Sequence, residues 1–241
     1  VSPIDRVPTG IPGLDEIIEG GLLKGRTHLV AGETGTGKTI LSLQFLLHGV
    51  KLGERGIYMA IDEDKENIIK GAESFGWDLS RYVEMGAISI MQIVPGFAEK
   101  FKKKYIEAAV GSVITGIKRE MERIGATRLV IDPIAPLLTK EEDIPFTREY
   151  IRELVLAIEQ QLGCTTLIVS EIPTGSNALS RFGVEEFLAS GIITLGLLRK
   201  STQVYRTLCV RKMRWTAVDP VLYKFKIVKG VGVVVEGPLA E

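Results

Sequence analysis

The 241-residue sequence predicts an α/β fold, a mainly parallel central sheet flanked by helices with an antiparallel extension at its C-terminal end. Three observations carry the prediction. Short apolar runs alternate with helical patterns as far as residue 190. A glycine-rich loop joins one such run directly to a helix. From Gly191 onward, strand patterns follow one another with no helix between them. The length suits one generous domain over residues 1–241, and no repeat, low-complexity tract or Pro/Ser-rich linker divides it.

In chain order, "THLVAG" (27–32) is a short apolar run ending in glycine, as in a buried strand. Residues 38–51 are apolar on most sides and stop at Gly53, which predicts a helix packed on the sheet. "RGIYMAID" (55–62) is the next strand. Ile68, Ile69, Ala72 and Phe75 then recur at helical spacing up to Gly76, and Asp64 stands where a helix N-cap belongs. "GAISIMQI" (86–93) is a third strand, followed by a helical stretch over about 100–124 and the strand "TRLVID" (127–132). A helix over about 147–162 leads into the strand "CTTLIVS" (164–170). "GIITLGLL", "QVYRTLCVRKMR", "LYKFKIV" and "GVGVVV" complete the chain as consecutive strands.

The 30 basic and 30 acidic residues balance, which excludes a global basic field for gripping nucleic acid. Cys164 and Cys209 match no metal or redox spacing and read as small core residues. With no signal-peptide pattern and no apolar run near 18 residues, a soluble, cytoplasmic chain with no membrane partner is expected.

"GETGTGKT" (32–39) fits GxxxxGK[ST] without deviation and sits between a buried strand and a helix. Gly32, Gly35 and Gly37 let the backbone curl until successive N–H groups face one concavity. The positive end of the following helix adds to the same place. Lys38 is placed to reach the β- and γ-phosphates of a nucleotide, and the Thr39 hydroxyl to bind Mg²⁺. Thr34, Gly35, Thr36, Gly37, Lys38, Thr39 and Ile40 form the expected nucleotide-binding stretch. A magnesium ion there needs a carboxylate at the end of a nearby strand, and "RLVID" supplies Asp132.

Hydrolysis further requires a group to orient water. Asp62, Glu63 and Asp64 stand at the carboxyl end of the strand after the phosphate-loop helix, on the edge where open α/β sheets bind ligands. Asp64 suits the cap. Glu63, or secondarily Asp62, suits the base, although acids at helix starts also answer the helix dipole. Near the other end of the chain, Lys212 and Arg214 are two residues apart on a predicted strand and so share a face. By itself this pair reads rather as a charged edge strand that discourages aggregation.

These residues resemble the KaiC-like branch of the RecA superfamily of ATPases. The resemblance runs through "TGIPGLDEIIEGGLLKG" (9–25), "GETGTGKT", "IDEDKENIIKGAESFGWDL" (61–79), "VID" (130–132), "RFGVEEF" (181–187) and "KMR" (212–214). It implies a RecA-like P-loop NTPase core, ATP and Mg²⁺ as ligands, and a homo-oligomeric ring, usually a hexamer, with ATP held between subunits. It implies Glu63 as the catalytic base with Asp62 as helper, and Ser74 near the nucleotide base. It also implies that Lys212 and Arg214 reach across a subunit boundary to the neighbour's γ-phosphate, so that they count among both the catalytic and the nucleotide-binding residues.

Three positions depart from the family pattern. Pro133 follows the metal Asp where RecA-type proteins often have Ser. Ile172 stands where the clock proteins tend to have Arg. Val218 stands where some members carry His. Clock function and autokinase activity are not inferred, because the sequence reads as one ATPase domain where the clock proteins have two in tandem. A nucleic-acid-binding paralogue is the main competing class, resting on the basic run "EKFKKKY" (99–105) and on "PTGSNALSRFG" (173–183). A basic run beside acids is more often a solvated face, and this class is not favoured. An ATP-dependent scaffold with little hydrolysis is a third class.

Overall fold

A computed structural model describes residues 4–61, 63–93, 106–134, 144–173, 175, 180, 181, 183 and 185–239. Near the N-terminus, β1 (Arg6–Val7) pairs antiparallel with β2 (Leu22–Leu23) around a one-turn helix α1 (Leu14–Ile17). These pieces are too short for any periodicity to reveal. The main body follows in the expected alternation: β3 (Thr27–Gly32), α2 (Lys38–Lys51), β4 (Gly56–Ile61), α3 (Lys65–Phe75), α4 (Leu79–Glu84), β5 (Ile88–Ile93), α5 (Ile106–Ile124) and β6 (Arg128–Asp132). Helix α6 (Ile144–Ala157) starts a little earlier than predicted and closes in a π-helical turn, Ile158–Leu162. Then come β7 (Thr165–Glu171), the short α7 (Glu185–Leu188), β8 (Gly191–Lys200), β9 (Gln203–Met213), β10 (Tyr223–Val228) and β11 (Gly232–Pro238). The predicted helical residues 100–105 lie outside the described residues.

One sheet has the order β11-β10-β9-β8-β3-β7-β6-β4-β5. Strands β8, β3, β7, β6, β4 and β5 are parallel neighbours, whereas β8–β9, β9–β10 and β10–β11 are antiparallel. This is the predicted α/β fold with an antiparallel C-terminal extension. Strand β8 is the hinge of the design, because it runs parallel to β3 on one side and antiparallel to β9 on the other.

The period of two along the central strands feeds a core on each face. Val30, Tyr58, Ala60, Val130 and Leu167 pack on one side with Leu41, Phe45 and Leu46 of α2 and with the C-terminal strands. Leu29, Ala31, Ile57, Met59, Leu129 and Ile168 pack on the other, against α5 and α6. Both cysteines are buried free thiols, Cys164 within the second of these cores.

Helix α2 is further fixed by a buried cation. Arg128 at the start of β6 is only 1 % exposed. Its guanidinium lies 4.6 Å from the Phe45 ring centroid, donates to the carbonyls of Pro8 (2.9 Å) and Phe45 (2.8 Å), and pairs with Glu54. One side chain thereby ties the N-terminal segment, the phosphate-loop helix and the central sheet together.

Candidate active site

The loop after β3 is shaped by two close approaches. A Cβ on Gly32 would lie 2.5 Å from the Leu195 carbonyl, and one on Gly37 would lie 2.8 Å from Ile227 Cδ1. Gly37 also has φ 106°, a left-handed conformation that glycine adopts without penalty. It caps α2 without a side-chain hydrogen bond, so the N–H groups of the first turn remain for an anion. Thr36 braces the loop by donating to the Glu33 carbonyl at 2.8 Å.

Lys38 is folded under this loop, 7 % exposed, with its ammonium donating to the carbonyls of Gly32 and Glu33, each at 2.8 Å. Burial lowers its pKa, while the charges of Glu171 and Asp132 act in the opposite direction. The Thr39 hydroxyl donates to Asp132 Oδ2 at 2.9 Å, and the Tyr58 hydroxyl donates to the same oxygen at 2.5 Å. Burial pushes the Asp132 carboxyl up, opposed by these two hydrogen bonds and by the charge of Lys38. A hydroxyl and a carboxylate in mutual contact beside a phosphate-binding loop are the donor set that suits Mg²⁺. That ion takes one or two protein oxygens and completes its shell with phosphate and water. Among the described residues no group of three or more His, Cys, Asp or Glu competes as a metal cluster.

Glu63 stands exposed just beyond β4, and its carboxyl is pushed above the ordinary range by lost solvation and by the charge of Asp132. Asp64 caps α3, accepting from the Glu66 N–H at 2.7 Å, as its position predicts. Asp62 lies outside the described residues, as do 94–105 and most of 174–184. The Ser74 hydroxyl is satisfied locally by the Gly71 carbonyl at 2.8 Å. The end of α3 that carries it meets the β10–β11 turn, where Gly230 donates to the Phe75 carbonyl at 2.7 Å.

Lys212 and Arg214 are not brought to this loop. Gly32 is in register with Leu195 and Lys212 with Ile192, so Lys212 lies three residues, or about 10 Å, toward the opposite edge of the sheet. Its ammonium donates to the carbonyls of Ala189 (2.8 Å) and Glu186 (3.3 Å) around the end of α7. Strand β9 ends at Met213, so Arg214 is in the following turn and not on a shared strand face. Arg214 is exposed, with its backbone N–H bonded to the Ser190 carbonyl at 2.9 Å.

Three residues at the loop escaped the sequence reading. Tyr58 was hidden because an apolar strand gives no cue to which tyrosine hydroxyl finds a partner. Glu171 ends β7 beside Gly32, and an acid at a strand's carboxyl end was its only signal. Arg206, in the middle of β9, places Nη2 3.4 Å from the Gly35 carbonyl, and its buried Nε has no partner among the described residues. Only the antiparallel return of β9 past β8 brings it there.

The parallel sheet, the loop at its carboxyl edge and the Thr39–Asp132 pair define a phosphate-loop ATPase domain of the RecA type. A family model described as the KaiC ATPase matches residues 7–239, and the chain belongs to that family. It is 36 % identical over 235 residues to a UPF0273 protein of Thermotoga maritima, covering 95 % of both chains. It is 32 % identical over 231 residues to the circadian clock oscillator protein KaiC of Thermostichus vulcanus, across 95 % of this chain but 44 % of the clock protein. The chain thus spans less than half the length of that relative. A solved KaiC-like protein of Pyrococcus horikoshii superimposes with a TM-score of 0.83 at 36 % identity, covering 97 % of this chain and 100 % of that one.

Proposed function

We propose that residues 1–241 form a single Mg²⁺-dependent ATP hydrolase domain that works as a homo-oligomeric ring, a hexamer by family resemblance, with a regulatory or signalling role in the cytoplasm. One copy holds the triphosphate on Thr34–Ile40. Lys38 turns from its loop carbonyls to the β- and γ-phosphates, and Thr39 and Asp132 hold the metal. Bound there, Mg²⁺ neutralises charge on the phosphate oxygens. Glu63, with Asp62 beside it, orients the attacking water and takes up its proton. Lys212 and Arg214 of the adjacent copy steady charge on the transferring phosphoryl group, a role worth about 10³–10⁵ in rate where such cations act.

The observation that supports this reading is the distance between the phosphate loop and the two cations. The phosphate loop and the Lys212–Arg214 pair lie toward opposite edges of the same sheet, which favours a meeting between copies over one within a copy.

Mixing two inactive variants tests it. Arg214→Ala keeps a sound loop, and Lys38→Ala keeps sound fingers. The mixture should recover part of the wild-type phosphate release, because some interfaces combine one intact half from each. A mixture as inactive as its components, with co-assembly confirmed by mass, defeats the proposal. Phosphate release measured beside ATP-dependent assembly mass separates a hydrolase from a scaffold that only assembles.

A further inference from the structure

The turn that carries Arg214 also carries the most exposed large apolar side chain among the described residues. Trp215 is 81 % exposed. Its φ of 56° lies in the left-handed region, which a bulky aromatic residue rarely adopts and which glycine would occupy freely. A strained, exposed indole persists only where its surroundings hold it in place.

The surroundings here are built for that. Arg6 donates to the Trp215 carbonyl at 3.3 Å and to the Thr216 hydroxyl at 2.9 Å, and it is itself anchored on the Ile18 and Gly21 carbonyls and paired with Glu19 at 3.1 Å. Glu19 in turn accepts the Ala217 N–H at 3.0 Å. The Thr216 hydroxyl closes the turn onto the Arg214 carbonyl at 3.0 Å. The small β1–β2 unit thus works as a clamp that presents the indole outward.

Charge and shape indicate what it meets. Beside Trp215 a cleft of about 420 Å³ is bordered by Ile4, Asp5, Lys24, Arg26 and Arg214, three cations to one carboxylate. The edge that carries the phosphate loop has the opposite balance, with Glu33, Glu63, Asp132 and Glu171 against Lys38 and Arg206. The same connector that begins with Trp215 also exposes Val221 and Leu222. A basic edge with a presented aromatic is complementary to an acidic edge that holds an anion, and both occur on this one chain.

We infer that Trp215 is an inter-subunit anchor whose indole packs against the phosphate-loop face of a second copy of this chain, next to the triphosphate served by Lys212 and Arg214. This rests on the cross-boundary reading above and adds to it a residue that makes contact and takes no part in the chemistry. An aromatic side chain buried at an interface centre beside cations is the usual composition of a binding hot spot. The clamp lowers the ordering cost of docking by fixing the side chain in advance.

Two measurements on the full chain test the inference. In protein labelled with 5-fluorotryptophan, the ¹⁹F resonance lost in Trp215→Gly reports this side chain, and Trp77, which is 8 % exposed, gives the other resonance. Dilute protein should show the Trp215 signal strongly broadened by a soluble paramagnetic agent, and Mg·ATP-driven assembly should protect it. Trp215→Gly should raise the concentration needed for assembly at least tenfold, while its unassembled chain unfolds at the same or a higher temperature, since glycine relieves the backbone. A lower unfolding temperature would assign the residue to folding and overturn the inference. So would assemblies of normal mass in which Trp215 stays accessible, or a variant that assembles as readily as wild type; either result leaves the shared-site reading standing. A wild-type chain that binds ATP yet stays monomeric at every concentration ends both.

Discussion

Tyr58 and Thr39 donate to the same oxygen of Asp132, at 2.5 and 2.9 Å, so the carboxylate proposed to hold magnesium is oriented from two strands and a helix at once. Tyr58 comes from β4, Thr39 from the first turn of α2, and Asp132 from the end of β6. A partner that holds a ligand from behind typically changes metal affinity about 10–100-fold when removed. Tyr58→Phe keeps the ring in the core and deletes only the hydroxyl. Mn²⁺ affinity of the nucleotide complex, followed by electron paramagnetic resonance, should weaken by about tenfold at the lower end of that range. Unfolding free energy should fall by about 1 kcal/mol, the usual worth of one hydrogen bond. Unchanged Mn²⁺ affinity would show that Thr39 alone suffices to orient the carboxylate.

Glu63 combines exposure to solvent with a carboxyl raised by partial desolvation and by the charge of Asp132. As the group that receives the proton of water, it acts only when ionised. Activity should therefore decline on the acid side at a higher pH than an ordinary glutamate would impose. Glu63→Gln should cost about 10²–10⁴ in turnover with ATP affinity retained, because the amide keeps the shape but cannot accept the proton. Phosphate release across pH, paired with equilibrium nucleotide binding, checks both parts. A variant that hydrolyses at the wild-type rate removes Glu63 from the reaction.

Acid stability should be governed in part by His28, far from the chemistry. The imidazole is fully buried in β3, and its Nε2 accepts the Leu23 N–H at 3.1 Å, so the neutral ring is the one that fits. Burial lowers its pKa from 6.5 to about 4. The unfolded chain binds this proton near pH 6.5 and the folded chain only near 4, so acid favours unfolding. The contribution is fully present above pH 6.5 and is lost as the pH falls toward 4, on the order of 3 kcal/mol in all. Urea denaturation from pH 7 to pH 4 should show this slope. His28→Leu should flatten it, at some general cost from the orphaned Leu23 N–H. Equal slopes in both proteins would place the acid sensitivity elsewhere.

The parts of the molecule legible in the sequence are those set by local pattern. Strand alternation around β3, β4 and β6, the Asp64 cap and the glycines at 32 and 37 each follow from neighbours within a few residues. The phosphate loop was readable for the same reason. What escaped depends on contacts between distant segments. The Arg128 guanidinium meets Pro8 and Phe45, and the Tyr58 hydroxyl meets Asp132, across separations that no periodicity records. The pairing of Lys212 with Arg214 was read as a shared strand face, but the strand ends between them at Met213. The chemistry assigned to the two cations does not require a common face. It requires only that both stand at the edge away from their own loop, as they do.

Strand β9 therefore carries two cationic stations with separate duties, and these can be told apart. Arg206 lies at its own chain's loop, 3.4 Å from the Gly35 carbonyl, with a buried Nε that has no partner among the described residues. Lys212 is six residues further along, about 17 Å away by its register with β8, bonded to the carbonyls around the end of α7. A triphosphate on the loop offers Arg206 the acceptors it lacks, and a hydrogen bond between charged groups contributes about 1.5–3 kcal/mol. Arg206→Ala should weaken binding of a non-hydrolysable ATP analogue about tenfold or more, even in dilute protein where each chain is alone. Arg214→Ala should leave that binding unchanged and instead reduce phosphate release in the assembled protein. Calorimetric titration of the dilute chain, set beside turnover at assembly concentrations, resolves the two. If Arg214→Ala weakened binding in the isolated chain as much as Arg206→Ala, both cations would serve the same copy and the division of the site between neighbours would fail.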